Sequence, residues 1–113
     1  MPSPATAWRW IRRSSSSSDG RGMTGRLVRI RGKVQGVWYR AWTVEEATRR
    51  GLRGWVRNRR DGSVEAFFAG EAHIIEGMIA ACRIGPPLAR VDSIASETTA
   101  EEPPAGFESR PTA

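Results

Sequence analysis

Apolar and polar positions alternate as soon as the chain leaves its serine-rich beginning. In "RLVRIRG", from Arg26, Leu27 or Val28 alternates with charged neighbours, which predicts a strand. From Tyr39 to Arg50 the period changes. Tyr39, Thr43 and Ala47 recur at four-residue spacing with Val44 beside them, so a helix is predicted, with Gly51 at its C′ position. "LRGWVRNR" and "RDGSVEAFFAG" return to β-type residues around Asp61-Gly62, a turn signal, and predict a hairpin. "EAHIIEGMIAACRIG" places Ile74, Ile75, Met78, Ile79 and Cys82 on one helical stripe, stopped by Gly85-Pro86-Pro87. "ARVDSIAS" alternates again, with Val91, Ser93 and Ala95 on one side and Asp92, Ile94 and Ser96 on the other. After a polar stretch, a last short strand is expected at Phe107.

The predicted order is β-α-β-β-α-β with a further edge strand. Right-handed crossovers leave few topologies for that order. The expected class is therefore α+β: a ferredoxin-like split β-α-β sandwich, an antiparallel sheet with two helices on one face. Residues 1–25, with five consecutive serines from Ser14 to Ser18, cannot repay their ordering entropy by burial and are expected to be a poorly ordered extension. Their Arg- and Ser-rich, nearly acid-free composition superficially resembles an organellar transit peptide, but a tail is the favoured reading. Residues 26–113 are expected to form one domain.

Composition narrows the class. In 113 residues, a 39% apolar fraction and five Trp suffice for a single core. The lone cysteine, Cys82, excludes an intramolecular disulfide framework and suits a reducing, cytoplasmic setting. No apolar run approaches the ~18 residues of a membrane span, so a soluble protein, monomeric by default, is expected. Charge is uneven. Residues 26–60 hold eleven Lys/Arg against two Glu, whereas residues 61–113 hold three Arg against nine acids. The positive half concentrates anionic ligands, small or polymeric.

That positive half contains "GKVQGVWYR", residues 32–40. Gly32 and Gly36 can adopt positive φ and let backbone approach a ligand. Successive amides in such a turn form an anion nest, a helix N-terminus at Tyr39 adds its dipole, and Arg40 offers a planar donor pair. On its own a glycine pair after a strand is weak evidence, and the loop alone reads as an ordinary turn. Neither a P-loop nor a dinucleotide fingerprint is present.

Four blocks together carry more. "GKVQGVWYR", "GLRGWVRN", the Asp61-Gly62 turn with Val64-Glu65, and "GPPLARV" occur in order over roughly residues 26 to 110. They resemble the acylphosphatase pattern G-x-V-Q-G-V-x-[FY]-R, G-x-x-G-W-V-x-N, D-G with V-E, and G-P-P-x-A-x-V. That resemblance implies the ferredoxin-like fold and metal-independent hydrolysis of an acyl phosphate to carboxylate and inorganic phosphate, with no cofactor. It implies that the loop of Gly32, Lys33, Val34, Gln35, Gly36, Val37 and Trp38 holds the phosphate, that Arg40 grips it, and that Asn58 positions the attacking water. Trp38 is bulky at a variable position, Tyr39 replaces the commoner Phe, and the extension has no counterpart in the pattern.

The chemistry suits those residue types. An acyl phosphate has a weakly basic carboxylate as leaving group, so holding a dianion and placing a water is the main burden. A neutral Asn orients water without repelling phosphate. The alternative is a non-catalytic phosphate- or RNA-binding module of the same fold. An RRM-like domain needs exposed aromatics in its central strands. Neither "LVRIRG" nor "SVEAFFA" matches, with Phe67 and Phe68 on opposite faces, so no nucleic-acid partner is expected. Lys33, Arg57, Arg59 and Arg60 are expected to form a solvated steering rim, His73 to be structural or exposed, and Cys82 to lie in the core.

Overall fold

A computed structural model describes residues 23–113 of the chain. For residues 1–22 the expected extension lies outside the described residues. Strand β1 spans Met23–Lys33, so residues 23–25 pair with β3 rather than preceding the fold. Helix α1 follows at Tyr39–Arg49, then β2 at Arg53–Asn58, β3 at Val64–Glu71, α2 at Ala72–Ile84, β4 at Arg90–Thr98 and β5 at Phe107–Ser109. The sheet order is β4-β1-β3-β2-β5.

The four longer strands pair antiparallel with one another, as the pattern predicts. β5 differs: it lies parallel to β2, pairing Gly54 with Phe107 and Val56 with Ser109, so the sheet is mixed. Phe107 docks it, its ring stacked on Phe68 at 5.5 Å between centroids.

Both helices cover one face of the sheet. That face presents Val28, Ile30, Val56, Val64, Ala66 and Phe68, and the helices bury Tyr39, Ala47, Ile75, Met78, Ile79 and Cys82 against them. Thr43 is buried with them; its hydroxyl donates back to the Tyr39 carbonyl at 2.8 Å, which satisfies it inside the helix. Each fully buried large side chain contributes about 1.5–3 kcal/mol. The predicted helical spacings therefore hold.

The opposite face carries Trp55, Phe67, Ala69 and Leu27 as a smaller cluster. The β4–β5 connection reaches it: Glu101 accepts from the Trp55 indole N–H at 2.9 Å, and Arg53 donates to the Pro104 carbonyl at 2.8 Å. A buried Glu65 sits on this face too, bonded by Arg57 at 2.9 Å and Arg59 at 3.1 Å, with Arg29 at 3.6 Å. Burial works to raise the Glu65 carboxyl, but Arg57, with Arg59 and Arg29, outweighs it and holds the group below its ordinary value.

One strand departs from simple alternation. The register between β1 and β4 shifts between Arg31 and Gly32: Arg31 faces Ser93, whereas Gly32 faces Val91. The extra residue, Asp92, lets both Val91 and Ile94 pack on the core although the sequence pattern places them on opposite sides.

Candidate active site

The chain turns from β1 into α1 through residues 34–38. β1 and β2 each run antiparallel to β3, so they are parallel to one another and end on the same edge of the sheet. Ile30, Val64 and Asn58 form one row across it. Asn58, the last residue of β2, therefore stands beside the β1–α1 turn. Its carbonyl accepts from the Ala113 N–H at 3.0 Å on the outer side.

The turn is pinned by what it buries. Val34 and Val37 are packed in the core on either side of the exposed Gly36. The Gln35 side chain turns into the β2–β3 hairpin and donates to the carbonyls of Arg59 at 2.7 Å and Ser63 at 2.9 Å. Those carbonyls belong to the turn that directly follows Asn58. A single side chain thus ties the turn and Asn58 together.

The two glycines have separate duties. A Cβ on Gly32 would lie 2.2 Å from the Arg90 carbonyl oxygen, so at φ 135° this glycine serves the close approach of β4 at the bulge. A Cβ on Gly36 would meet nothing within 4 Å, and its φ of 75° leaves its backbone open to a ligand. Lys33, like Gly32, belongs to β1.

Main-chain donors are left over here. Among the described residues, the N–H groups from Gln35 to Trp38 meet no backbone or side-chain acceptor. Helix α1 starts from Trp38 without a side-chain cap or an acidic residue in its first turn, so its own first N–H groups are also open. The helix dipole adds positive potential at the same place.

The turn and the start of α1 border an open cavity of about 500 Å³, lined by Val34, Gly36, Trp38, Tyr39, Arg40, Ala41, Asn58 and Ser109. Of the residues singled out in the sequence, Val34, Gly36, Trp38, Arg40 and Asn58 meet on its wall. Gly32 and Lys33 sit in the strand behind it, while Gln35 and Val37 support it from beneath. Arg40 is the cation of the wall, and among the described residues it forms no ion pair. Among the described residues no carboxylate lines the cavity.

The expected steering rim divides. Arg57 and Arg59 are committed to Glu65 on the other face of the sheet, whereas Lys33 and Arg60 remain exposed. The reason is tertiary: alternation along β2 and β3 turns Arg57 and Glu65 to the face without helices. His73 is exposed and 3.5 Å from Glu71. Cys82 is buried, and burial pushes its thiol up to about 12. Among the described residues no cluster of His, Cys, Asp or Glu is placed to hold a metal ion, and no helix is long and apolar enough to cross a membrane.

Three wall residues escaped the sequence reading. Tyr39 and Ala41 flank Arg40 on α1. Tyr39 is buried, its hydroxyl donating to the Cys82 carbonyl at 2.5 Å, and burial raises its pKa above the ordinary phenol value. Ser109 arrives from β5. Its signal was the Phe107-x-Ser109 spacing, which puts both residues on the helix side, but the parallel docking that brings it to Asn58 leaves no local trace.

Comparison with known proteins bears on the whole of this arrangement. A curated acylphosphatase of Rhizorhabdus wittichii is 55% identical over 97 residues, covering 86% of this chain and 98% of its own length. One from Rhodospirillum rubrum is 58% identical over 85 residues, covering 75% of this chain and 93% of its own. The solved acylphosphatase of Coxiella burnetii superposes with a TM-score of 0.75 at 34% identity, over 78% of this chain and 93% of that one. The family model for acylphosphatases matches residues 27–109, a span that runs from β1 to the end of β5 and contains every residue of the cavity wall. With sequence, fold and span in agreement, this chain belongs to the acylphosphatase family.

Proposed function

We propose that the chain hydrolyses acyl phosphates in this cavity, with the phosphoryl group seated on the N–H groups of residues 35–38, gripped by Arg40, and attacked by a water held by Asn58. The observation that carries this reading is that a turn whose N–H groups, and a guanidinium, find no partner among the described residues borders a cavity that also presents Asn58. Family membership supports the hydrolase class.

In this mechanism the water oxygen forms a bond to phosphorus as the bond from phosphorus to the acyl oxygen breaks. The electron pair of that bond leaves with the carboxylate, and the water's proton passes to a phosphate oxygen. The amides and Arg40 neutralise charge on the equatorial oxygens of a loose transition state. Asn58 contributes orientation, its neutral amide adding no repulsion. The same reading includes a monomer working in the cytoplasm, with the catalytic unit beginning at strand β1 rather than at residue 26, behind an N-terminal extension.

The test is hydrolysis of benzoyl phosphate by the purified protein in EDTA. Wild type is expected to turn over, with inorganic phosphate a competitive inhibitor. Arg40→Ala should lose at least about 3 kcal/mol of transition-state stabilisation, a hundredfold or more in kcat/KM. Asn58→Ala should lower kcat more than it raises KM. Full activity in both variants would remove the assigned roles.

A further inference from the structure

The geometry points to a second half of the cavity: Trp38 forms the wall of an acyl subsite that takes flat, apolar acyl groups. This rests on the acyl-phosphate reading above and deepens it.

Trp38 is anomalous in two independent ways. It is the one non-glycine residue with positive φ among the described residues, at φ 68°. Holding a bulky side chain in that conformation costs on the order of 1–2 kcal/mol. Its side chain is also 77% exposed. Among the described residues its ring pairs with no other ring. Among the described residues no ring contact offsets the strain. Ile84 and Leu88, the other large exposed apolar residues described, stand off the cavity wall, whereas Trp38 is part of it.

The cavity has room beyond phosphate. A tetrahedral dianion fills the volume of a few waters, at ~30 Å³ each, and so takes a minor share of a cavity of about 500 Å³. The N–H groups and Arg40 account for the phosphate end. Of the other residues on the wall, Val34, Trp38, Tyr39 and Ala41 are largely apolar and Ser109 is polar; Trp38 is the large apolar one among them that stands exposed. An indole face stacks on a planar ring and gives little to an acyl group of two carbons. Trp38 therefore sets a preference for aromatic over small aliphatic acyl phosphates.

The experiment compares kcat/KM for benzoyl phosphate and acetyl phosphate in wild type, Trp38→Gly and Trp38→Phe. Glycine accepts the positive φ, so the variant keeps the turn and removes only the ring. In Trp38→Gly the benzoyl-to-acetyl ratio should fall about tenfold, chiefly through KM for benzoyl phosphate, and Trp38→Phe should retain most of it. An unchanged ratio in Trp38→Gly, even with both values lowered, overturns the acyl subsite and leaves acyl-phosphate hydrolysis standing. Wild type that hydrolyses neither compound overturns both.

Discussion

Gln35 shows how the backbone and the side chain of one residue divide their work. Its main-chain N–H belongs to the turn expected to meet phosphate, while its side-chain amide faces the hairpin and donates to two carbonyls there. Gln35→Ala would remove one of the two donors at each carbonyl, leaving the backbone bonds from Gly62 and Arg59, at about 1 kcal/mol or less for each bond lost. We expect a lower melting temperature together with weaker inhibition by inorganic phosphate, because the turn and Asn58 lose their common tether. Gln35→Glu would set a carboxylate against two carbonyl oxygens and should be the worse of the two by thermal melting. Arg40 and Asn58, in contrast, stand where their motif positions implied, because each is placed by the immediate start of a helix or end of a strand. Asn58→Asp is the sharper test of the water-orienting role. It keeps the shape but repels the dianion, so KM for benzoyl phosphate should rise where Asn58→Ala mainly lowers kcat.

Among the elements, the β1–α1 connection separates folding from ligand binding. Gly32 and Gly36 look equivalent in "GKVQGVWYR", but only Gly32 is pressed against a neighbouring strand. Gly32→Ala should push β4 away at the bulge and cost on the order of 3 kcal/mol, read as a large drop in denaturant midpoint. Gly36→Ala meets open space and should cost about 1 kcal/mol of stability through its φ alone. Its new methyl would stand among the free amides, so inhibition by phosphate should weaken. Equal stability losses for the two variants would contradict this division. The helices were the most legible elements, since one four-residue period reports one buried face. β4 was the least legible, because a bulge created by pairing with β1 changes which of its residues face the core.

Across the whole molecule, acid stability follows from the sheet's outer face. Asp61 accepts from the Ser63 hydroxyl and N–H, with Arg31 and Arg29 nearby, and is held down to about 2 from an ordinary 3.8. Glu65 is lowered as well, by its arginine partners. For both, the unfolded state binds protons at a higher pH than the folded state does. Their contribution is therefore complete above the ordinary carboxylate range and fades as pH falls from about 4.5 toward 2. Chemical denaturation midpoints should be flat near neutrality and drop through that window. Glu65→Gln should flatten the drop while destabilising the protein near neutral pH, since three guanidinium groups lose their counter-charge.

The order of strands and helices, the turn at Asp61-Gly62, the buried stripes and the Arg40–Asn58 pairing with the loop motif were all determined by the sequence alone. Each depends on contacts within a few residues or on a motif with constant spacing. Tertiary structure alone decided the parallel fifth strand that delivers Ser109, the bulge that claims Gly32, the pairing of Arg57 and Arg59 with the buried Glu65, the inward turn of Gln35 and the strained, exposed Trp38. These arise where segments distant in sequence compete for the same space and hydrogen bonds, and a local pattern holds no record of which partner wins.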